Sequence, residues 1–391
     1  MMSKIDDLIA KYCPNGVKFK HLADIADIGT GRSNKADATT DGIYPFYVRS
    51  KEVFRLNSFE FDEEAIIIPG EGGIGDIFHY AKGKYALHQR AYRVHLKINE
   101  LSTKFLYYYM RANFKNFIMS KAVSATVTSI RKPMLEQFAV PIPPLAVQEE
   151  IVNILDSFTL LEAELEAELE ARKKQYQHYR DKLLNFADIS QGGVRTMALG
   201  EICDIQNGFA FKSTLFKQSG SPILRISNIQ QSGVVLDNLA YFDKDDYKVN
   251  LEQFKVYPQD IIIALSGATT GKSGKNNTNM IFYLNQRVAK FVPHKDILSN
   301  NYLYHVIQNR TDDFLQMAGG GAQPNLSTEQ MKKMMIPILP LAEQERIVSM
   351  LDKFDALVND ISDGLPAEIN ARRQQYEYYR DKLLNFEPIA V

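Results

Sequence analysis

Only two cysteines occur in 391 residues, Cys13 and Cys203, and neither has a second cysteine at CxxC spacing or a cluster of histidines beside it. That rules out a disulfide framework and a zinc-finger spacing. No apolar run approaches the roughly 18–20 residues that span a bilayer. The opening "MMSKIDDLIAKYCPNG" lacks the basic-then-apolar order of a secretory signal, so a cytoplasmic protein without a membrane partner is expected. Charge of one sign is also missing: the formal net charge is −1. A uniformly basic nucleic-acid binder is thereby excluded.

What charge there is falls unevenly. Residues 20–140 hold 17 Lys and Arg against 13 Asp and Glu, a net of +4, and residues 197–336 hold 14 against 12, a net of +2. Residues 141–196 and 337–391 each hold 6 against 10, a net of −4. The excess of glutamate fits solvated helices better than a surface laid on phosphates.

The acidic segments are copies of each other. "RKKQYQHYRDKLLNF" from Arg172 matches "RRQQYEYYRDKLLNF" from Arg372 at eleven of fifteen positions, and "PIPPLAVQEEIVNILDSF" from Pro141 matches "PILPLAEQERIVSMLDKF" from Pro337 at twelve of eighteen. The chain is a duplication with a period near 200 residues. Ile151, Ile154, Phe158, Leu161 and Leu165 step by 3, 4, 3, 4, and Tyr176, Tyr179, Leu183 and Phe186 resume the rhythm, which predicts a coiled-coil seam. Between them "LEAELEAELEA" (161–171) repeats a tetrapeptide. Each copy lengthens a helix by about 6 Å and turns its stripe by about 40°.

Nothing breaks the helix from Leu145 to Phe186, a rod of roughly 60 Å. In the second copy Asp363, Gly364 and Pro366 replace the leucine repeat and predict a stop and restart. Two such helices satisfy each other's apolar stripes by packing antiparallel, with the globular parts related by a pseudo-twofold.

The globular parts are divergent copies too. "HLADIADIGTGRS" aligns with "ALGEICDIQNGFAFKS", "EAIIIPGEGGIG" with "QDIIIALSGATTG", and "LHQRAYRV" with "LNQRVAKF". Short β-branched runs predict strands, whereas "TKFLYYYMRANFKNFI" and "NNYLYHVIQNRTDDFLQM" read as one helix each. The fold class is α+β, with two related α/β domains joined through an antiparallel helix pair.

The string "SGATTGKSG" (266–274) imitates a phosphate loop but places three residues, not four, between Gly267 and Gly271, so a nucleotide site does not follow. Lys272, Ser273, Lys275 and Asn276 suit contacts to DNA, or a solvated hairpin turn. Gln89 with Arg90 and Gln286 with Arg287 recur in the same slot and are residue types that read purine edges. A repeated pair also belongs naturally to the fold, and that reading stays beside the first. Polar stretches precede both rods, with Thr126, Thr128, Ser129, Arg131 and Lys132 in one and Gln323 and Asn325 in the other. Arg32, Asn34 and Lys35, and Lys212 in the second copy, follow matching glycines. A stripe such as Tyr107, Tyr108 and Tyr109 on a helix reads as core.

The order of variable domain, "PIPPLAVQEEIVNILDSF", helix ending "YRDKLLNF", second variable domain, "PILPLAEQERIVSMLDKF" and "GLPAEINARRQQYEYYRDKLLNF" resembles the DNA-specificity subunit of type I restriction-modification enzymes. The tetrapeptide string and "QPNLS" are similar to motifs of that family. The resemblance implies target-recognition domains at 1–140 and 191–336, a central spacer helix region at 141–190 and a C-terminal helical region at 337–391. It implies double-stranded DNA as ligand, two copies of a methyltransferase (modification) subunit as partners, and restriction (nuclease/translocase) subunits where present. The repeated helix ending would dock the modification subunits through Tyr179, Arg180 and Leu183 and through Tyr379, Arg380 and Leu383. No cofactor is expected on this chain, and S-adenosylmethionine belongs to the partner. With no NPP[FY] tetrapeptide, which amino-methyltransferases use to hold the target amine, the chain itself is not expected to be a catalyst. The other reading is a structural coiled-coil adaptor without sequence readout.

Overall fold

A computed structural model describes residues 2–121, 129–184, 195–230, 233–319, 324–359 and 364–389. Thr126, Thr128 and Gln323 lie outside the described residues, as do Asn185 and Phe186 of the first helix ending. The chain divides into two compact units, residues 1–167 with 368–391, and residues 168–367.

The first unit is built on a six-stranded sheet. In spatial order its strands are Ala26–Thr30, Ala91–Leu96, Phe61–Pro69, His79–Leu87, Tyr44–Tyr47 and Val53–Leu56, antiparallel except where Tyr44–Tyr47 meets His79–Leu87. The run Ala65-Ile66-Ile67-Ile68 is buried on both faces. Period-two alternation sends Ile66 and Ile68 toward the helix Thr103–Lys121 and its Phe105, Leu106, Met110 and Phe114, while Ala65 and Ile67 pack on Tyr85, Leu87 and Ala91. Tyr108 and Tyr109 are buried, as the core reading expected, whereas Tyr107 is half-buried.

The second unit repeats this plan in shorter strands. Cys203–Asn207, Val288–Pro293, Ile261–Ala264 and Ser273–Lys275 form one antiparallel sheet, and Ala240–Phe242, Ser221–Leu224, Phe282–Leu284 and Lys255–Val256 form another. Ile261 and Ile263 face one core while Ile262 and Ala264 face the other, the parity seen in the first unit. One expectation is corrected here: "NNYLYHVIQNRTDDFLQM" forms two helices, Asn300–Asn309 and Thr311–Met317. Arg310, at φ −108° and ψ 18°, leaves helical geometry, and its guanidinium pairs at 3.0 Å with Asp313 in the next first turn.

The helix Leu145–Leu184 is continuous over 40 residues, which at 1.5 Å per residue is about 60 Å. Its counterpart is two helices, Leu341–Asn359 and Leu365–Leu383, the second beginning directly after Gly364 with Pro366 in its first turn, where a missing N–H costs nothing. No helix among the described residues is long and apolar enough to cross a membrane.

Each unit is completed by the helix ending of the other repeat. In the first, Leu383 and Leu384 lie in the core, Phe386 touches Phe105, and the Val17 N–H donates to the Glu387 carbonyl at 2.9 Å. Phe158 contacts Tyr376 and Tyr379, while Arg373 reaches Glu162 and Glu166, so the paired helices run antiparallel. In the second, Leu183 and Leu184 join the core and Phe354 lies against Tyr176 and Tyr179. A buried glutamine fixes the start of each rod. Gln148 accepts from the Ser102 N–H at 2.8 Å and donates to the Glu100 and Pro143 carbonyls, and Gln344 does the same with Ser299, Ile297 and Leu339.

Candidate nucleic-acid interface

Four short loops converge at one edge of each unit, held by matching backbone bonds. In the first, the Gly70 N–H donates to Arg90 O at 2.8 Å and the Ile130 N–H to Gly70 O at 2.7 Å. In the second, the Leu265 N–H donates to Arg287 O at 2.9 Å and the Leu326 N–H to Leu265 O at 2.7 Å. Glu71 bridges Ser129, and Ser266 bridges Asn325. The close approach requires glycine: a Cβ on Gly31 would stand 1.8 Å from the Leu87 carbonyl oxygen, and one on Gly208 2.1 Å from that of Asn285.

On this frame the first unit gathers Arg32, Asn34, Lys35, Gln89, Arg90 and Ser129. Arg32, Asn34, Lys35, Gln89 and Arg90 are exposed, and Ser129 is half-buried. The Gln89 amide donates to Asn34 Oδ1, and Lys35 lies over the Phe54 ring at 4.9 Å. Arg131 and Lys132 are exposed at the start of the short helix Lys132–Glu136, where Lys132 stands 3.9 Å from Glu136. His88, buried beneath the loop, accepts the Arg90 N–H on Nδ1 at 2.9 Å. Burial, then the charges of Arg49 and Arg90, hold its pKa below the usual histidine value, so it stands neutral.

Two residues of this cluster carry no sequence signal through the repeat. Arg49 and Arg90 both donate to Glu71 Oε2, at 2.8 and 3.0 Å. Glu71 is replaced by Ser266 in the second unit. Arg49, two residues beyond Tyr47, corresponds by strand pairing to Ile226, two beyond Leu224. A search for repeated polar slots therefore passes over both.

In the second unit Lys212, Lys272, Gln286, Arg287 and Asn325 are exposed. Arg287, Ser266, Thr270 and Asn325 line a cleft of about 610 Å³. Ser273 and Asn276 correct the sequence reading, because both are buried. Ser273 sits on a strand paired with Ile263, and Asn276 is spent on its own turn, donating to Met280 O at 2.8 Å and accepting from Thr278. Lys275 turns away from the cleft, bonding Asn301 at 2.8 Å over the ring of Tyr304, and burial pushes its pKa down.

The six residues expected to meet a partner are also used internally. Leu383 is 2% exposed and belongs to the core, which removes it from any docking surface. Tyr379 stacks on Phe158 and Tyr179 on Phe354, Leu183 packs against the second core, and Arg180 and Arg380 lie over Tyr176 and Tyr376. The exposed positions of the same helices include His178, Tyr179 and Lys182, and Glu377, Tyr378, Asp381 and Lys382. Among the described residues no group of His, Cys, Asp or Glu is arranged to hold a metal ion.

The sequence matches the family described as type I restriction modification DNA specificity domain twice, over residues 14–171 and 192–371. A putative type I restriction enzyme specificity subunit of Haemophilus influenzae is 30% identical over 394 residues, covering 95% of this chain and 96% of that protein. The EcoR124I/EcoR124II specificity subunit of Escherichia coli is 34% identical over 74% of this chain and 72% of its own length. Crystal structures of the S subunit from M. genitalium and of HsdS from Thermoanaerobacter tengcongensis share the fold, with TM-scores of 0.58 and 0.55 at 18% and 15% identity. They cover 94% and 95% of this chain and 96% and 97% of their own. The chain belongs to the type I restriction-modification DNA specificity family and carries its domain twice.

Proposed function

We propose that this chain is the sequence-reading, non-catalytic subunit of a type I restriction-modification complex. Each unit reads one half of a two-part site in double-stranded DNA. The observation that carries this is the pair of four-loop clusters: their backbone bonds match, but their side chains differ at Glu71 and Ser266, His88 and Asn285, and Ser129 and Asn325. A conserved frame with divergent tips is what two readers of different base sequences need, since phosphate contacts position a protein and base-edge contacts specify. An adaptor without readout leaves that divergence unused.

The functional domains are residues 1–140 and 191–336, and the helical regions 141–190 and 337–391 set their separation and dock partners. Two copies of the modification subunit bind the two helix endings, through His178 and Lys182 and through Tyr378 and Asp381, with Tyr179 and Tyr379 at the margins. S-adenosylmethionine binds the modification subunit. Restriction subunits join the same assembly where the host encodes them.

The test is methylome sequencing of a host expressing this chain with its modification subunit, repeated with one "LEAE" unit inserted between Leu160 and Leu161. Adenine methylation at a two-part motif whose gap alone lengthens is the expected result. An unbroken motif, or a gap indifferent to the insertion, overturns the two-reader arrangement or the ruler.

A further inference from the structure

Glu71 is the anomaly of the first cluster. A carboxylate on a surface that meets DNA repels phosphates, and its ion pairs with Arg49 and Arg90 are too exposed to matter for the fold: the side chains are 42%, 39% and 58% accessible for Arg49, Glu71 and Arg90. Exposed pairs of this kind add little to stability. What the carboxylate does accomplish is geometric. One oxygen, Oε2, holds both guanidinium groups, and Glu71 is itself fixed by its bridge to Ser129 and by the two bonds on Gly70. Two long side chains that would otherwise sample many rotamers are gathered into a fork.

We propose that Glu71 is a positioning residue for base readout by the first unit, holding Arg49 and Arg90 together so that they address base edges within one half-site. The proposal rests on the reading of the chain as a DNA-specificity subunit. Arginine recognises guanine through two bonds, to O6 and N7, so the orientation of its plane decides discrimination more than its charge does. Among its described residues the second unit has no such device. Ser266 occupies the carboxylate's slot, Ile226 that of Arg49, and among the described residues no carboxylate pairs with Arg287. The two readers therefore use their shared arginine differently: Arg90 acts within a clamped pair, Arg287 alone at the mouth of a cleft.

The experiment uses the full chain assembled with its modification subunit. Motifs are read by methylome sequencing, and affinities by titration of labelled duplexes carrying the motif, single-base variants of it, or unrelated sequence. E71A is expected to lower discrimination about ten-fold or more at one or two base pairs of one half-site. The other half-site stays as sharp as before, and unrelated DNA is bound equally well or more tightly because a negative charge has gone. E71Q keeps an acceptor for the guanidinium N–H groups and falls between E71A and the parent. In an R49A/R90A background E71A adds no further loss, as two changes acting through one contact are not additive. The proposal is overturned if E71A leaves both half-motifs intact, weakens all sequences alike, or adds in full to R49A/R90A. A parent complex that methylates no two-part motif would instead refute the functional reading beneath it.

Discussion

Phe158 stacks on Tyr379 with ring centroids 5.5 Å apart, and Phe354 stacks on Tyr179 at 5.7 Å. Each phenylalanine lies 13 residues into a helix that begins at Leu145 or Leu341, and each tyrosine lies in the last turns of the other repeat's helical region. The stack joins a rod to its unit through residues some 200 positions apart.

Phe158→Ala should therefore destabilise the first unit without touching the second, and Phe354→Ala the reverse. Truncating a fully buried phenylalanine costs about 3–5 kcal/mol, and these half-buried rings about 2 kcal/mol. Calorimetry of the two variants is expected to lower different parts of the unfolding profile. A uniform shift in both would show that the rings do not belong to separate units.

Arg373 donates to Glu162 and Glu166, carboxylates one tetrapeptide step apart. The groups are exposed, so Arg373→Ala should cost no more than about 1 kcal/mol. Arg373→Glu should cost more, because three like charges then meet, and the difference between the variants should shrink in 1 M salt. Urea midpoints at low and high salt check this.

His88 is neutral in the folded chain, its pKa lowered by burial and by Arg49 and Arg90 against opposing contributions from Glu71 and Asp37. The folded value lies below the unfolded one, near 6.5, so the unfolded chain binds the extra proton. Stability from this site is complete above about pH 6.5 and declines as pH falls toward the folded value. His88→Asn, which copies Asn285 of the second unit, should flatten that decline. The comparison is of denaturant midpoints for both proteins at pH 7.5, 6.5 and 5.5.

Burial pushes the Cys203 thiol up to about 12, and Cys13 is also raised. Only thiolates react appreciably. Both should resist iodoacetamide at pH 8 in the native protein and react at once in denaturant, with Cys203 the slower of the two before unfolding.

The rods were legible because a stripe of apolar residues at spacings of three and four has one structural solution, and the Ile-rich strands because a β-branched run bounded by glycine or proline has few. The break at Arg310 was not, since no proline or glycine announces it. Ser273 and Asn276 looked available because they follow a glycine loop; strand pairing and a local turn bury them. Leu383 failed as a partner residue because an apolar stripe does not say which neighbour covers it. Arg49 and Glu71 escaped for a different reason: they matter through each other, and neither recurs.

The order in which the chain is made bears on the division into units. Residues 168–367 form one uninterrupted stretch, so the second unit has all its parts before the final helix is complete. The first unit lacks Leu383, Leu384 and Phe386 until the whole of the second has been made, and its core stays open on that side meanwhile. During translation the upstream unit therefore matures last, and its exposed flank is where a nascent chain of this protein is most vulnerable to aggregation or a chaperone's grip.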